Sequence, residues 1–74
     1  MQPGKEKKPY LLSSVNNALK ILDLLSVRDN IGVAEISRLL KLDKASVFKM
    51  LYTLEHRDYV IKTADAKYRL GIKF

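Results

Sequence analysis

The chain has 74 residues, of which 47% are hydrophobic and 30% are charged, and its formal net charge is +6. This length allows one domain with a modest core, and the absence of cysteine excludes disulfides and thiolate metal sites. The apolar residues recur periodically without forming a membrane-spanning run, and no signal-peptide segment follows the N-terminus. We therefore predict a folded domain outside the membrane, and its basic excess favours a polyanionic partner.

The first twelve residues differ in composition from the rest. They include two prolines, a glycine and a cluster formed by Lys5, Lys7 and Lys8, and such a segment cannot support a core. We predict a flexible basic arm over residues 1–12, which either follows a phosphate backbone or is a solvated tail. The folded domain is predicted over residues 13–74.

A first helix is predicted from about Val15 to Val27. Ser13 or Ser14 can cap it, because a hydroxyl accepts a hydrogen bond from an unpaired N–H of the first turn. Apolar residues then recur at helical spacing, and others widen the apolar face beyond a single stripe. The wide face indicates either a helix central to the core or a helix with a second contact to a partner chain. The periodic residues are Val15, Ala18, Leu19, Leu22 and Leu25, and the additional ones are Ile21 and Leu24.

A second helix is predicted from Val33 to Leu40, after a polar turn at residues 28–30 and a short strand residue at Ile31. Gly32 stands at the N-cap, and Glu35 can reach back to the Gly32 N–H. The apolar set of this helix is Val33, Ile36, Leu39 and Leu40.

A third helix is predicted to begin at an Asp43 cap and to continue to about Arg57. The three-residue connection Lys41 to Asp43 makes the second and third helices cross, as in a helix-turn-helix. With about 100° per residue, the apolar residues of the third helix fall on one side and its outward face has no acidic residue before Glu55. The apolar set is Val47, Met50, Leu51 and Leu54.

After Asp58 the apolar period changes to two, which predicts an antiparallel hairpin of residues 59–62 and 67–70 around a turn at 63–66. Tyr68 and Leu70 should face the helices, while Lys67 and Arg69 point outward. Three helices followed by this two-stranded wing make a mainly α (α+β) winged helix-turn-helix.

Several landmarks keep their relative spacing along the chain. They are the opening Ser14-Val15 with Ala18-Leu19 and Ile21-Leu22, then Glu35, Lys44, Ser46-Val47, Leu54-Glu55, Tyr59-Val60 and the closing Tyr68-Arg69-Leu70-Gly71. With these landmarks, the sequence from Ser14 to Phe74 resembles the N-terminal DNA-binding domain of IclR-type bacterial and archaeal transcriptional regulators. The pattern differs at Asp43, where such domains often have proline, and at Lys41 and Asp58, where they usually have glycine. Asp tolerates a left-handed C-cap better than Lys, so some strain or a different cap is expected at Lys41.

The resemblance implies a transcription factor in the prokaryotic cytoplasm that binds an operator in double-stranded DNA, as a homodimer in the full protein. It also implies a small-molecule effector bound by a larger C-terminal domain, which is absent from these residues. No cofactor is expected in this chain. Because the outward residues of the third helix are not the commonest choices in the family, the binding mode is expected to carry over but the operator sequence is not.

In this reading the helix from Asp43 to Arg57 enters the major groove and a basic wing contacts phosphates. Lys49 can donate to guanine, Ser46 can contact base or phosphate, and Ala45 and Phe48 can meet a thymine methyl. Tyr52 is expected to contact phosphate, and Phe48 could instead pack against the wing. The candidate DNA-binding residues are Lys44, Ala45, Ser46, Phe48, Lys49, Tyr52, Arg38, Lys62, Lys67 and Arg69.

Two alternatives use the same fold. One is a winged-helix module that binds a protein through the outward face, and the other is a MarR-like or other winged-helix regulator. The lack of acidic residues between Lys44 and Tyr52 favours DNA over a protein surface of mixed charge. An enzyme is not expected, because the sequence has no nucleophile-base pair, no phosphate-binding glycine loop and no second ligand for a metal near His56.

Overall fold

The computed structural model describes residues 10–71, so most of the predicted basic arm and the last three residues lie outside the described part. Within that range the chain forms α1 (Ser13–Val27), α2 (Val33–Leu40), α3 (Lys44–His56), β1 (Val60–Lys62) and β2 (Tyr68–Leu70). The predicted winged helix-turn-helix is confirmed. None of these helices is both long enough and apolar enough to cross a bilayer.

The start of α1 corrects the prediction. The helix begins at Ser13, its N-cap is Leu12, and no side chain caps the first turn. The Leu12 carbonyl already accepts the first helical hydrogen bond, from the Asn16 N–H at 2.9 Å. The predicted serine cap is therefore wrong, because both serines lie inside the first turn.

The core takes residues from every element. It is narrower than the predicted apolar faces, since Val15, Leu19 and Leu39 are exposed by 53%, 54% and 38%. A domain of this size has too few elements to cover more than one stripe of each helix. The buried residues are Ile21, Leu25, Ile31, Ile36, Val47, Leu51, Val60 and Tyr68.

Ser37 closes the turn between α2 and α3. Its carbonyl accepts hydrogen bonds from the N–H groups of Lys41 and Leu42, and its hydroxyl donates to the Leu42 carbonyl. Lys41 has a φ of 59°, in the left-handed region, which costs a residue with a Cβ about 1–2 kcal/mol. The strain expected at Lys41 is therefore present, and it is the cost of a turn tight enough to cross the two helices.

Gly32 is the N-cap of α2 as predicted, but Glu35 does not reach back to it. The Glu35 carboxylate instead accepts from the Arg28 guanidinium at 2.5 Å, with Arg38 at 3.9 Å. A cationic donor is a stronger partner than the backbone N–H, which explains the difference. The pair ties the end of α1 to the first turn of α2, although partly exposed ion pairs add little stability.

Backbone hydrogen bonds hold both ends of the hairpin. The turn end is joined to the loop between α1 and α2, and the open end is closed between the two segments of the hairpin itself. Ile31 and Tyr68 form a β-bridge, with the Tyr68 N–H donating to the Ile31 carbonyl at 2.8 Å, which confirms the predicted strand residue. At the other end, the Gly71 N–H donates to the Tyr59 carbonyl at 2.8 Å. A Cβ at Gly71 would lie 2.5 Å from the Asp58 carbonyl oxygen, so this close approach requires glycine.

The turn of the hairpin is closed by Thr63 and Lys67. The Thr63 N–H donates to the Lys67 carbonyl at 2.8 Å, and the Ala66 N–H donates to the Thr63 carbonyl at 3.1 Å. Ala66 then takes a φ of 63°. A left-handed residue after a short turn is typical of such hairpins, and glycine usually occupies it.

We predict that Ala66→Gly raises the midpoint of thermal unfolding, because glycine adopts this φ without the steric cost that alanine pays. The free energy of unfolding should rise by about 0.5–1 kcal/mol. This net value already includes the loss that arises because glycine has more conformational entropy in the unfolded chain. Ala64→Gly is the matched control, since Ala64 has a negative φ and should lose stability on the same change. Equal shifts for the two variants in thermal denaturation would contradict the assignment of strain to Ala66.

Candidate nucleic-acid interface

α3 has two sides with different environments. Val47 and Leu51 have no exposed surface, and they fix the helix against the other elements. The opposite side bears the outward residues that the sequence predicts, and Ala45, Lys49 and Tyr52 are all exposed there. The helix therefore presents one continuous face to solvent.

Asp43 caps α3 through both carboxylate oxygens. One accepts the Ser46 N–H at 2.9 Å and the other accepts the Ser46 hydroxyl at 2.7 Å. The hydrogen bond from the hydroxyl, followed by that from the backbone N–H, holds the pKa of Asp43 below its usual value. The predicted cap is confirmed at Ser46. Because the Ser46 hydroxyl proton is already donated, this side chain is left mainly as an acceptor.

Phe48 and Tyr52 form an aromatic pair on the surface of α3. Their ring centroids are 6.4 Å apart and the ring planes are inclined by 34°. Phe48 is 49% exposed and Tyr52 is 64% exposed, and neither belongs to the core or to the hydrophobic residues packed on it. The pair is thus an apolar surface feature supported by mutual contact.

Two lysines flank the aromatic pair. Lys44 and Lys49 are exposed, and α3 has no acidic residue until Glu55. Lys49 also lines a groove between α1 and α3 with Ser13, Ser14 and Met50. Ser13 and Ser14, which are predicted from the sequence only as caps, thus lie in the first turn of α1 at the edge of this groove.

The predicted cations outside α3 are exposed, but they do not share one face. Lys62 pairs with Tyr68 and Ile61 pairs with Arg69 in the hairpin register. Since side chains alternate along a strand, Lys67 and Arg69 lie on the outer face, and Lys62 lies on the face that also carries the buried Tyr68. The structure therefore separates Lys62 from the other two wing cations.

Arg38 and the wing tip are each accompanied by an acid. Arg38 is 70% exposed, and its guanidinium is 3.9 Å from the Glu35 carboxylate. At the tip, Asp65 accepts the Thr63 hydroxyl at 2.5 Å, and this bond lowers the pKa of Asp65. The wing is basic on its strands but carries a negative charge at its turn.

Side chains that could bind a metal are scattered over the described part of the chain. Within residues 10–71 no group of three or more His, Cys, Asp or Glu side chains is placed to hold a metal ion. His56 lies beside Tyr52 and Glu55 at the end of α3.

The chain matches the family model of the IclR helix-turn-helix domain over residues 14–63. It is 35% identical over 65 residues to the HTH-type transcriptional regulator XynR of Escherichia coli, covering 85% of this chain and 26% of the relative. It is 32% identical over 69 residues to the regulator KdgR of Dickeya chrysanthemi, covering 92% of this chain and 23% of the relative. The chain thus spans about a quarter of the length of these relatives, which are named as transcriptional regulators and not as enzymes.

Solved structures give the same result. An IclR transcriptional regulator from Alicyclobacillus acidocaldarius superposes with a TM-score of 0.81 at 32% identity, over 86% of this chain and 27% of that one. The repressor BlcR of Agobacterium tumefaciens superposes with a TM-score of 0.74 at 28% identity, over 84% of this chain and 25% of that one. The arrangement of helices and wing is therefore shared with regulators of known structure.

We predict that Asp43→Asn lowers the thermal unfolding midpoint at neutral pH, because the charged cap is lost while an acceptor oxygen remains. The folded-state pKa of Asp43 is depressed, so its contribution to stability is present above the ordinary carboxyl pKa of 3.8 and is lost as the pH falls through the lower folded-state value. The difference between wild type and variant should shrink towards pH 2.

Circular dichroism melts at about one-unit steps from pH 7 to pH 2 measure this difference, since that range brackets carboxyl titration. Asp29→Asn, which removes the same charge from the exposed turn after α1, is the control. A difference for Asp43→Asn that stays constant over the whole range would show that its carboxylate charge does not stabilise α3.

Proposed function

Because the chain belongs to the IclR family of helix-turn-helix transcriptional regulators, we propose that it binds a specific sequence in double-stranded DNA through α3. The observation that carries this proposal is the outward face of α3, where exposed lysines and aromatic rings stand without an acidic residue before Glu55. The net charge of +6 supports it, because a basic domain gains affinity by releasing counterions from DNA. Its site of action would be genomic DNA in the prokaryotic cytoplasm.

In this proposal the helix from Asp43 to Arg57 lies in the major groove, with its N-terminal half at the base edges. Lys49 donates to O6 or N7 of a guanine. Ser46, whose proton is donated to Asp43, accepts from an exocyclic amino group of cytosine or adenine. Lys44 lies in the first turn, where it can reach either a base or a phosphate.

The remaining cations supply affinity that does not depend on sequence. Lys67 and Arg69 share the outer face of the hairpin and can follow one phosphate strand together. Lys62 and Arg38 lie elsewhere on the surface, and the Tyr52 hydroxyl is a further donor to phosphate. The acid at the wing tip, Asp65, keeps the turn itself away from the backbone.

We also propose that two copies act together on a partly palindromic operator. A single α3 reads one half-site, and a symmetric pair reads two with a fixed spacing. Support comes from an exposed apolar surface on and before α1, which we call the α1 apolar face and which consists of Tyr10, Leu11, Leu12, Val15 and Leu19. A contiguous apolar patch is a common feature of association surfaces, and a second copy offers a self-complementary cover for it.

The aligned segment covers about a quarter of the length of these relatives. We propose that a small-molecule effector binds a C-terminal domain outside the aligned segment, as the resemblance to the family implies. In this proposal the described domain recognises the DNA sequence and uses no cofactor.

The DNA proposal is tested by selecting sites from a randomised duplex library and titrating the selected duplex at several salt concentrations. We expect the logarithm of the binding constant to fall linearly with the logarithm of the salt concentration, with a slope of about −0.9 per neutralised phosphate. Lys67→Ala should reduce this slope by about one and weaken selected and scrambled duplexes alike, whereas Lys49→Ala should relax preference at one base pair by about 1 to 3 kcal/mol.

Lys20→Ala is the matched control. Lys20 is exposed on α1, so this substitution removes the same charge at a position outside the proposed interface. Absence of DNA binding at low salt would overturn the proposal, and capture of a protein by the same face without DNA affinity would favour an interaction module. Equal effects of Lys49→Ala and Lys67→Ala on selected and scrambled duplexes would remove the assignment of Lys49 to a base.

The two-copy proposal predicts that Leu19→Glu shifts the protein from dimer to monomer in sedimentation velocity, because it places a charge within the α1 apolar face. Val27→Glu is the control, since Val27 is 77% exposed at the other end of α1. The proposal would be wrong if the wild-type protein sedimented as a monomer at every accessible concentration, or if both variants behaved alike.

A further inference from the structure

We propose that Phe48 reads the C5 methyl group of a thymine in the operator, and that Tyr52 is a positioning residue that holds the Phe48 ring. This inference rests on the proposed function, because it names the base chemistry that α3 recognises. It treats the two rings as one surface rather than as two separate contacts.

The geometry of the pair supports a fixed apolar contact. The rings are one helical turn apart, with centroids separated by 6.4 Å, which is within the range of interacting aromatic pairs. Contact with Tyr52 restricts the orientations open to Phe48, so the exposed part of its ring is presented to a ligand with little further loss of freedom. Half of the ring stays in water until a partner covers it, and a methyl group is a suitable partner.

The hydrogen-bonding groups of α3 favour the same conclusion. Adenine is usually read by Asn or Gln, and neither occurs between Lys44 and His56. Because its proton is taken by Asp43, the Ser46 hydroxyl can accept from the amino group of adenine or of cytosine and does not distinguish the two, and the lysines are suited to guanine. With so few groups suited to adenine, the thymine methyl is the feature by which this helix can distinguish an A·T pair.

The size of the apolar surface is suited to a short run of bases. Ala45, Phe48 and Tyr52 follow one another at intervals of three and four residues, so they lie on one side of the helix. The seven residue-to-residue steps from Ala45 to Tyr52 span about 10 Å along the helix axis, which is close to the length of roughly three base-pair steps of 3.4 Å. The half-site is therefore expected to contain thymine where Phe48 meets the groove, and further thymines can be covered by Ala45.

The test begins with the duplex selected by the wild-type protein. Each thymine in turn is replaced by deoxyuridine, which removes the methyl group and leaves base pairing and the other major-groove groups unchanged. Affinity should fall by about fourfold at the position beneath Phe48, the ratio expected for loss of one buried methyl-sized group. Replacement at thymines outside the half-site is the internal control.

Variants then connect the effect to the pair. Phe48→Ala should bring the thymine-to-uracil affinity ratio at that position close to one, and Lys49→Ala should leave the ratio unchanged while altering preference elsewhere. Tyr52→Phe should keep the ratio although overall affinity falls with the lost hydroxyl. Tyr52→Ala should reduce the ratio, because Phe48 loses its support.

Each outcome decides the inference. Equal affinity of the wild-type protein for thymine and uracil at every position, or a selected site without thymine, would overturn it while leaving sequence-specific DNA binding intact. Persistence of the full ratio in Phe48→Ala would also overturn it. Failure of the wild-type protein to bind any duplex would overturn the proposed function itself. Thermal melts of the variants verify folding, and the deoxyuridine series uses the unchanged protein.

Discussion

Burial of Val47 and Leu51 is the constraint on which the rest of this structure depends. These two side chains have no exposed surface, and they pack in a core to which α1, α2 and the hairpin each contribute. Because α3 is fixed by one stripe, its opposite stripe must face outward whatever residues it carries. The helix can therefore change what it presents to a ligand without changing how it is held, which separates specificity from stability in a domain of 74 residues.

Several connections between elements contain a non-glycine residue in the left-handed backbone region, which is sterically unfavourable. Lys41, Asp58 and Ala66 have φ values of 59°, 68° and 63°, in the region where glycine is usual. At Asp58 the strain is offset by a Schellman arrangement, in which the Tyr59 N–H reaches the Leu54 carbonyl at 2.9 Å and the Asp58 N–H reaches the Glu55 carbonyl at 3.0 Å. At Lys41 the compensation comes from Ser37. The short turns are retained because the crossing of α2 and α3 and the position of the hairpin require them.

The elements and their order could be predicted from the sequence because the apolar period is helical in three segments separated by polar turns and changes to two in the hairpin, and because Asp43 marks the start of α3. Choices between neighbouring polar groups could not be predicted. The Glu35 carboxylate accepts from the Arg28 guanidinium rather than from the Gly32 N–H, and this choice depends on the packing of α1 against α2. The exposure of the site residues can be predicted from the sequence. The separation of Lys62 from Lys67 depends on the register of the hairpin, and the sequence alone does not determine that register to within one residue.

The pairing of Phe48 with Tyr52 also bears on how a weakly polar surface can be specific. A lone exposed ring would sample several orientations and would contact any apolar group within reach. A ring that contacts a neighbour, with centroids 6.4 Å apart, has fewer orientations open to it, so it loses less freedom on binding and a misplaced methyl group gains less contact. The same argument applies to Ser46, whose hydroxyl is fixed by Asp43 before any ligand arrives. In the proposed complex, order within α3 would precede binding, and discrimination would follow from that order because a fixed surface cannot adapt to the wrong base.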